Sequence, residues 1–427
     1  MIKDLPELIE ANVISQETAE RISDYYHQKK NKEPNRLIAV FGIIGAILVG
    51  MGIILIVAHN WDDFGRTTKS ILAFLPLLLG QASCAYALIK KKEQKVWLEA
   101  SSAFLFFSVG ACIAMISQIY HISGSLPDFI LTWMLLTLPQ IYILNSSVAS
   151  LFYLIGITYY AGEVGYSYYH SKEILWYWLL IIGIIPHYLK LLKNNAQANW
   201  AVLHSRMIPI SLIIALGTCG YDNEELLFIS FISLFSAFFL FGYLPIFRKT
   251  GKSTQSYSSL GLLGIIVTLI PLTFDWIWDN LFRKLPPINE LVMTPEFISI
   301  FITTCIALYL LLRHDHIPAS NRLSIIKYSF LVFIAIFLSA SISPKLAELL
   351  SNLMLLLIGI RIIRQGIEED HLGILNYGLL VLTTAILCKF FDTNISFIIR
   401  GLVFVGLGIG FFYANYMIIQ KRKRNEQ

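Results

Sequence analysis

From Leu37 to Ile419 the chain returns repeatedly to uninterrupted apolar runs. Each is about 17–24 residues long, enough at a rise of about 1.5 Å per residue to cross a hydrocarbon core roughly 30 Å thick. Lipid offers no hydrogen-bond partner to a peptide group, so only helices and closed barrels can span it. Barrel strands would be about 9–11 residues long and would alternate in polarity. These runs are longer and continuously apolar, so they predict helices. Composition agrees, since 56% of the 427 residues are hydrophobic and only 14% are charged, too few to coat a water-soluble globule.

The fold class expected is all-α, a polytopic transmembrane bundle of about fourteen spans. They are placed at 37–58, 69–89, 97–119, 128–144, 147–163, 173–189, 206–220, 225–246, 257–276, 297–312, 323–343, 345–363, 372–389 and 396–420. Three regions follow: a cytoplasmic helical arm over 1–36, a first membrane region over 37–170, and a second over 171–427. Charge sets the orientation. Threaded this way, 25 of the 33 Lys and Arg residues fall on the side that holds both termini and only eight opposite, while the 28 acids divide evenly. Basic connectors stay in the cytosol, which predicts a bacterial cytoplasmic (inner) membrane protein with both termini inside. Trp61, Trp133, Trp176, Trp178, Trp276 and Trp278 fall near outer span ends, where an indole ring is buried and its N–H is wet.

In the arm, Leu5, Leu8 and Ile9 suggest a short helix, Asn12 to Ser15 a turn, and Gln16 to Gln28 a second helix with Ser15 as N-cap. Such a pair buries little by itself, so the arm is expected to pack on the membrane region or on a protein partner. No cleavable signal peptide is expected, because the apolar run that follows the arm lacks a small-residue cleavage site. The five cysteines show no C-x-x-C spacing and are read as packing residues, and no cofactor is called for.

Ala58-His59-Asn60-Trp61-Asp62, at the end of the first span, resembles a bacterial family of predicted multi-pass membrane proteins of unknown function. That family joins an N-terminal helical arm to a Gly-rich first span ending in an Asn-Trp-Asp motif. The resemblance continues through Ser117-Gln118-Ile119-Tyr120-His121-Ile122-Ser123-Gly124, then Trp133 and Leu138-Pro139, and again in Lys389-Phe390-Phe391-Asp392 and Arg400-Gly401. It implies membrane location and motif positions, and no catalytic residue.

The motif residues form the first candidate site, an outer-face polar cluster of His59, Asn60, Trp61, Asp62, Gln118, Tyr120, His121, Asp392 and Arg400. One reading makes it the mouth of a cavity for a polar or cationic group, with Asp392 and Arg400 as an ion pair. The other is helix-end chemistry, in which Asn and Asp stop helices and Trp and Tyr anchor the interface. His59, His121 and His170 lie in separate connectors without ligand spacing, so no metal site is assigned. Gly42, Ala46 and Gly50 in the first span, and Gly406, Gly410 and Ala414 in the last, repeat a small residue every fourth position, which predicts close helix packing.

No carboxylate or basic group falls near the middle of any span, which disfavours proton pumps and voltage sensors. No phosphate loop, H-E-x-x-H or G-x-S-x-G appears, and the positive charge is dispersed, which disfavours ATPases, proteases and nucleic-acid binding. Membrane lipids are the expected surroundings. A transporter or flippase for a polar or lipid-linked substrate is the favoured reading. A scaffold or sensor using the arm comes next, and an enzyme at the outer leaflet last.

Overall fold

A computed structural model describes residues 5–11, 13–23, 61–166, 172–220, 224–248, 255–281, 294–313 and 325–392, with scattered positions between 398 and 420. Its described elements are α-helices joined by short 3-10 turns. Two compact units are present, Met1–Leu75 and Pro76–Gln427.

In the first unit, α1 (Leu5–Glu10) is followed by α2 over 16–23. Ser15 caps α2 as its side chain predicts, its Oγ accepting the Thr18 N–H at 3.3 Å. α3 (Arg66–Lys90) begins in this unit after a turn at Trp61–Phe64.

The second unit continues with α4 (Lys95–Tyr120), α5 (Leu126–Ile143) and α6 (Ser147–Gly165). Next come α7 (Leu175–Ile182), α8 (Ile185–Asn195), α9 (Asn199–Gly217), α10 (Leu227–Phe241) and α11 (Gln255–Leu269). α12 (Asp275–Leu281), α13 (Pro295–Leu312), α14 (Ser329–Ala340), α15 (Pro344–Glu368) and α16 (Leu372–Asp392) complete it. Among the described residues nine helical stretches are long and apolar enough to cross a membrane, and the 15 residues of α10 and the 12 of α14 are shorter apolar helices. The protein is a multi-pass helical membrane protein.

α10 is the hub, packing against α11, α13 and α14, while α9 links it to α6 and α15 pairs with α16. Its sequence, LFISFISLFSAFFLF, is apolar on every side except for three serines, and 11 of its 15 residues are buried. On α13, by contrast, Phe301, Ile302, Ile306 and Tyr309 are exposed, an apolar surface suited to hydrocarbon rather than water. Two helix pairs approach closely through glycine. A Cβ on Gly261 of α11 would stand 2.5 Å from the Phe239 N of α10, and one on Gly366 of α15 would stand 2.5 Å from the Leu375 N of α16.

Most predicted spans meet an observed helix, and the differences have local causes. The predicted span 173–189 is broken into α7 and α8 at Gly183, where 3-10 bonds precede Pro186 and the Tyr142 hydroxyl donates to the Gly183 carbonyl. α9 starts seven residues ahead of the predicted 206, which brings His204 into a helix. The predicted 257–276 stops at Leu269, because Pro271 opens a 3-10 turn. Beyond it Trp278, expected as an interface anchor, is fully buried, its Nε1 donating to the Leu272 carbonyl at 2.8 Å. The first span, 37–58, lies outside the described residues.

Three helices of this unit stop in the same way. After α4, α5 and α15 the residues His121, Asn145 and Asp370 take left-handed φ of 50°, 49° and 51°. The next N–H then reaches back five residues, Ile122 to Ser117, Ser146 to Ile141 and His371 to Gly366.

Candidate functional site

The predicted outer cluster is only partly visible. His59, Asn60 and Arg400 lie outside the described residues, and Asp392 is placed only as the last residue of α16. In the first unit the Lys69 ammonium sits 5.6 Å from the Trp61 ring centroid, and Asp62 is exposed. In the second unit Gln118 and Tyr120 are exposed, and the Gln118 carbonyl and the left-handed His121 serve the helix stop described above. Of the two small-residue stripes, Gly42, Ala46, Gly50 and Ala414 lie outside the described residues, and no described atom stands within 4 Å of a Cβ on Gly406 or Gly410. Among the described residues no three His, Cys, Asp or Glu side chains gather as a metal site.

Side chains that the sequence left unassigned form a different arrangement. The Glu99 carboxylate of α4 caps α6 from outside, accepting the Ser147 and Val148 N–H groups at 2.9 Å each and the Ser146 hydroxyl. One turn into α6, Ser150 meets His204 of α9 at 3.0 Å. The His204 Nδ1 lies 2.7 Å from the Trp200 carbonyl, which can only accept, so Nε2 takes the Ser150 proton. Beside it, the ring of His187 on α8 is centred 6.0 Å away, buried, with its Nε2 lacking a hydrogen-bond partner among the described residues.

Two hydroxyl chains run alongside, and their directions follow from where each ends. Ser205 donates to the Ala201 carbonyl at 2.7 Å, so Tyr188 donates to Ser205 (2.7 Å) and Tyr257 to Tyr188 (3.1 Å). Thr158 donates to the Leu154 carbonyl at 2.6 Å, so Ser211 donates to Thr158 (2.6 Å) and Tyr177 to Ser211 (2.8 Å). At about 1.5 Å per residue the α9 groups His204, Ser205 and Ser211 mark out roughly 10 Å of that helix, and the six residues from Leu212 to Gly217 that follow are apolar. On α10, Ser230, Ser233 and Ser236 recur every third residue and meet Ser299 (2.7 Å), Thr304 (3.0 Å) and Ser329 (2.8 Å). Apart from the threefold serine spacing in α10, these groups are ordinary in a helix and no sequence signal marks them out.

A cavity of about 600 Å³ lies between the carboxyl ends of α6 and α9 and the start of α10, where Phe228 and Phe231 of its lining flank Ser230, the first of the α10 serines. Gly165, Gly217 and Gly220 give it backbone walls, and Phe228 and Phe231 line it with rings. Glu225 supplies the charged side chain among its described lining residues. Tyr166 completes the wall, its hydroxyl donating to the Ile214 carbonyl at 3.0 Å. That pose requires glycine at 217, since a Cβ there would overlap the Tyr166 Oη.

Elsewhere, Lys389 near the end of α16 forms an ion pair with Glu348 on α15, both half-buried. One turn on, the Asn352 amide donates to the Thr273 carbonyl at 3.2 Å and holds the turn after α11. Lys389 belongs to the last family-like motif, but its partner was not visible in the sequence.

No curated protein and no solved structure matches the chain. Residues 6–150, which hold most of the arm and the Asn-Trp-Asp and Gln118–His121 motifs but end before the cavity begins, match the family model described as Predicted membrane protein (DUF2157).

Proposed function

We propose that this membrane protein is a transporter-like bundle that carries a polar or lipid-linked solute through its second unit. One observation carries the reading: a row of buried, paired serines runs along α10 from beside a cavity whose lining includes a carboxylate, with further buried hydroxyl and imidazole groups on the neighbouring α9. In an apolar bundle each buried hydroxyl must find a partner, and a column of paired ones gives a solute exchangeable contacts once helices part. The break at Gly183 and the 3-10 turn at Pro271 supply places where α7–α8 and α11 can bend. The charge asymmetry supports a bacterial inner-membrane placement with both termini in the cytosol.

The test uses the full chain with its five cysteines replaced, reconstituted into sealed vesicles. Single cysteines are placed at Gly220 on the cavity rim, at Ser211 and at Ser233. A membrane-impermeant thiol reagent is expected to label all three. Labelling at Gly220→Cys but at neither deeper position, from either side, identifies a closed scaffold and refutes transport.

A further inference from the structure

We infer that the cavity between α6, α9 and α10 is a binding site for an organic ammonium ion, a reading that deepens the transport proposal by naming the chemistry of its solute. Three features point the same way. The Glu225 carboxylate is the charged group of the described lining, and no described lining residue is basic. Tyr166, Phe228 and Phe231 contribute aromatic rings to the same lining, and ring faces attract alkylammonium groups. About 600 Å³ is room for a small organic molecule.

The same lining argues against a metal ion. A hard divalent cation needs about six oxygen ligands, and the described lining supplies one carboxylate among mainly apolar groups. It also argues against an anion, which would face Glu225. An ammonium with methyl or methylene substituents satisfies both parts of the wall, its charge against Glu225 and its carbons against the rings.

The headgroup of a choline lipid and a free amine in solution share this chemistry. Binding of tetramethylammonium and of choline to the intact protein is therefore measured by calorimetry, in nanodiscs of phosphatidylglycerol and in nanodiscs of phosphatidylcholine. Binding is expected in the first. Weakening in the second assigns the site to the lipid headgroup, and equal binding assigns it to a soluble amine. Glu225→Gln is expected to weaken both probes about tenfold, and Phe228→Leu several-fold, with elution on size exclusion unchanged. A neutral isostere of choline, 3,3-dimethylbutan-1-ol, is expected to bind at least tenfold more weakly than choline. Absence of binding, equal affinity for the neutral isostere, or an unaltered affinity in a folded Glu225→Gln protein overturns the site. Ammonium binding with Ser211 and Ser233 closed to thiol reagents would leave the site standing and remove only transport.

Discussion

Removing the Glu99 carboxylate tests how much this bundle depends on a cap supplied from a neighbouring helix. Glu99 accepts two N–H groups from the first turn of α6 and the Ser146 hydroxyl, while Ser146 Oγ itself accepts the Ala149 N–H at 3.1 Å. Hydrogen bonds to a charged acceptor contribute about 1.5–3 kcal/mol each, but these three are not additive and Glu99 is only part-buried. Roughly halving the sum gives a cost of about 3 kcal/mol for Glu99→Ala, which leaves two α6 N–H groups without an acceptor. Glu99→Gln keeps one acceptor oxygen and loses the charge, so its cost is about 1 kcal/mol. Equilibrium unfolding in mixed micelles, followed by helical circular dichroism with and without Ser146→Ala, gives the coupling between Glu99 and Ser146. The expected coupling is about 1 kcal/mol. Losses under about 0.5 kcal/mol for both Glu99 variants, or no coupling, would show that water caps α6 as well as Glu99 does.

Two further outcomes follow from packing and charge, read by the same unfolding assay. Gly261→Ala drives a Cβ into the backbone of α10 and should destabilise by about 2 kcal/mol, whereas Gly162→Ala, with open space around its Cβ on α6, should gain about 0.5–1 kcal/mol from helix propensity. Equal effects at the two positions would mean that α10 and α11 are not in contact at Gly261. Breaking the Glu348–Lys389 pair with Lys389→Met should cost about 2 kcal/mol, because Glu348 is left half-buried without its cation. The double variant Glu348→Leu/Lys389→Met should recover most of that loss, and no recovery would mean that the pair does not set the single-variant cost.

Membrane residence, the helical class and most helix positions were legible because hydropathy is a local property that adds along the chain. The Ser15 cap was legible for the same reason, since its hydrogen bonds close within one turn of α2. The small-residue stripe expected in the first span lies outside the described residues, and among those described glycine-mediated helix contacts are seen at Gly261 and Gly366. Nothing local distinguishes these glycines from others. Whether a glycine faces a neighbour or lipid depends on which helices are neighbours. The separation of α7 from α8 depended on what the backbone freed ahead of Pro186 could bond to, and the Gly183 carbonyl takes the hydroxyl of Tyr142 on another helix.

The functional candidates divide along the same line. By itself the sequence determined that the chain lives in a membrane, that its backbone must be helical there, and how its charges are distributed between connectors. Each of those follows from transferring single residues between water and lipid. Only the tertiary structure decided that Glu99 caps α6, that His204 finds Ser150, and that Glu225 shares a cavity with Tyr166, Phe228 and Phe231. Glu99 and the start of α6, His204 and Ser150, and Glu225 and Tyr166 are each tens of residues apart. A buried hydroxyl, imidazole or carboxylate gains its role from the group that pairs with it, and helix packing alone chooses that group.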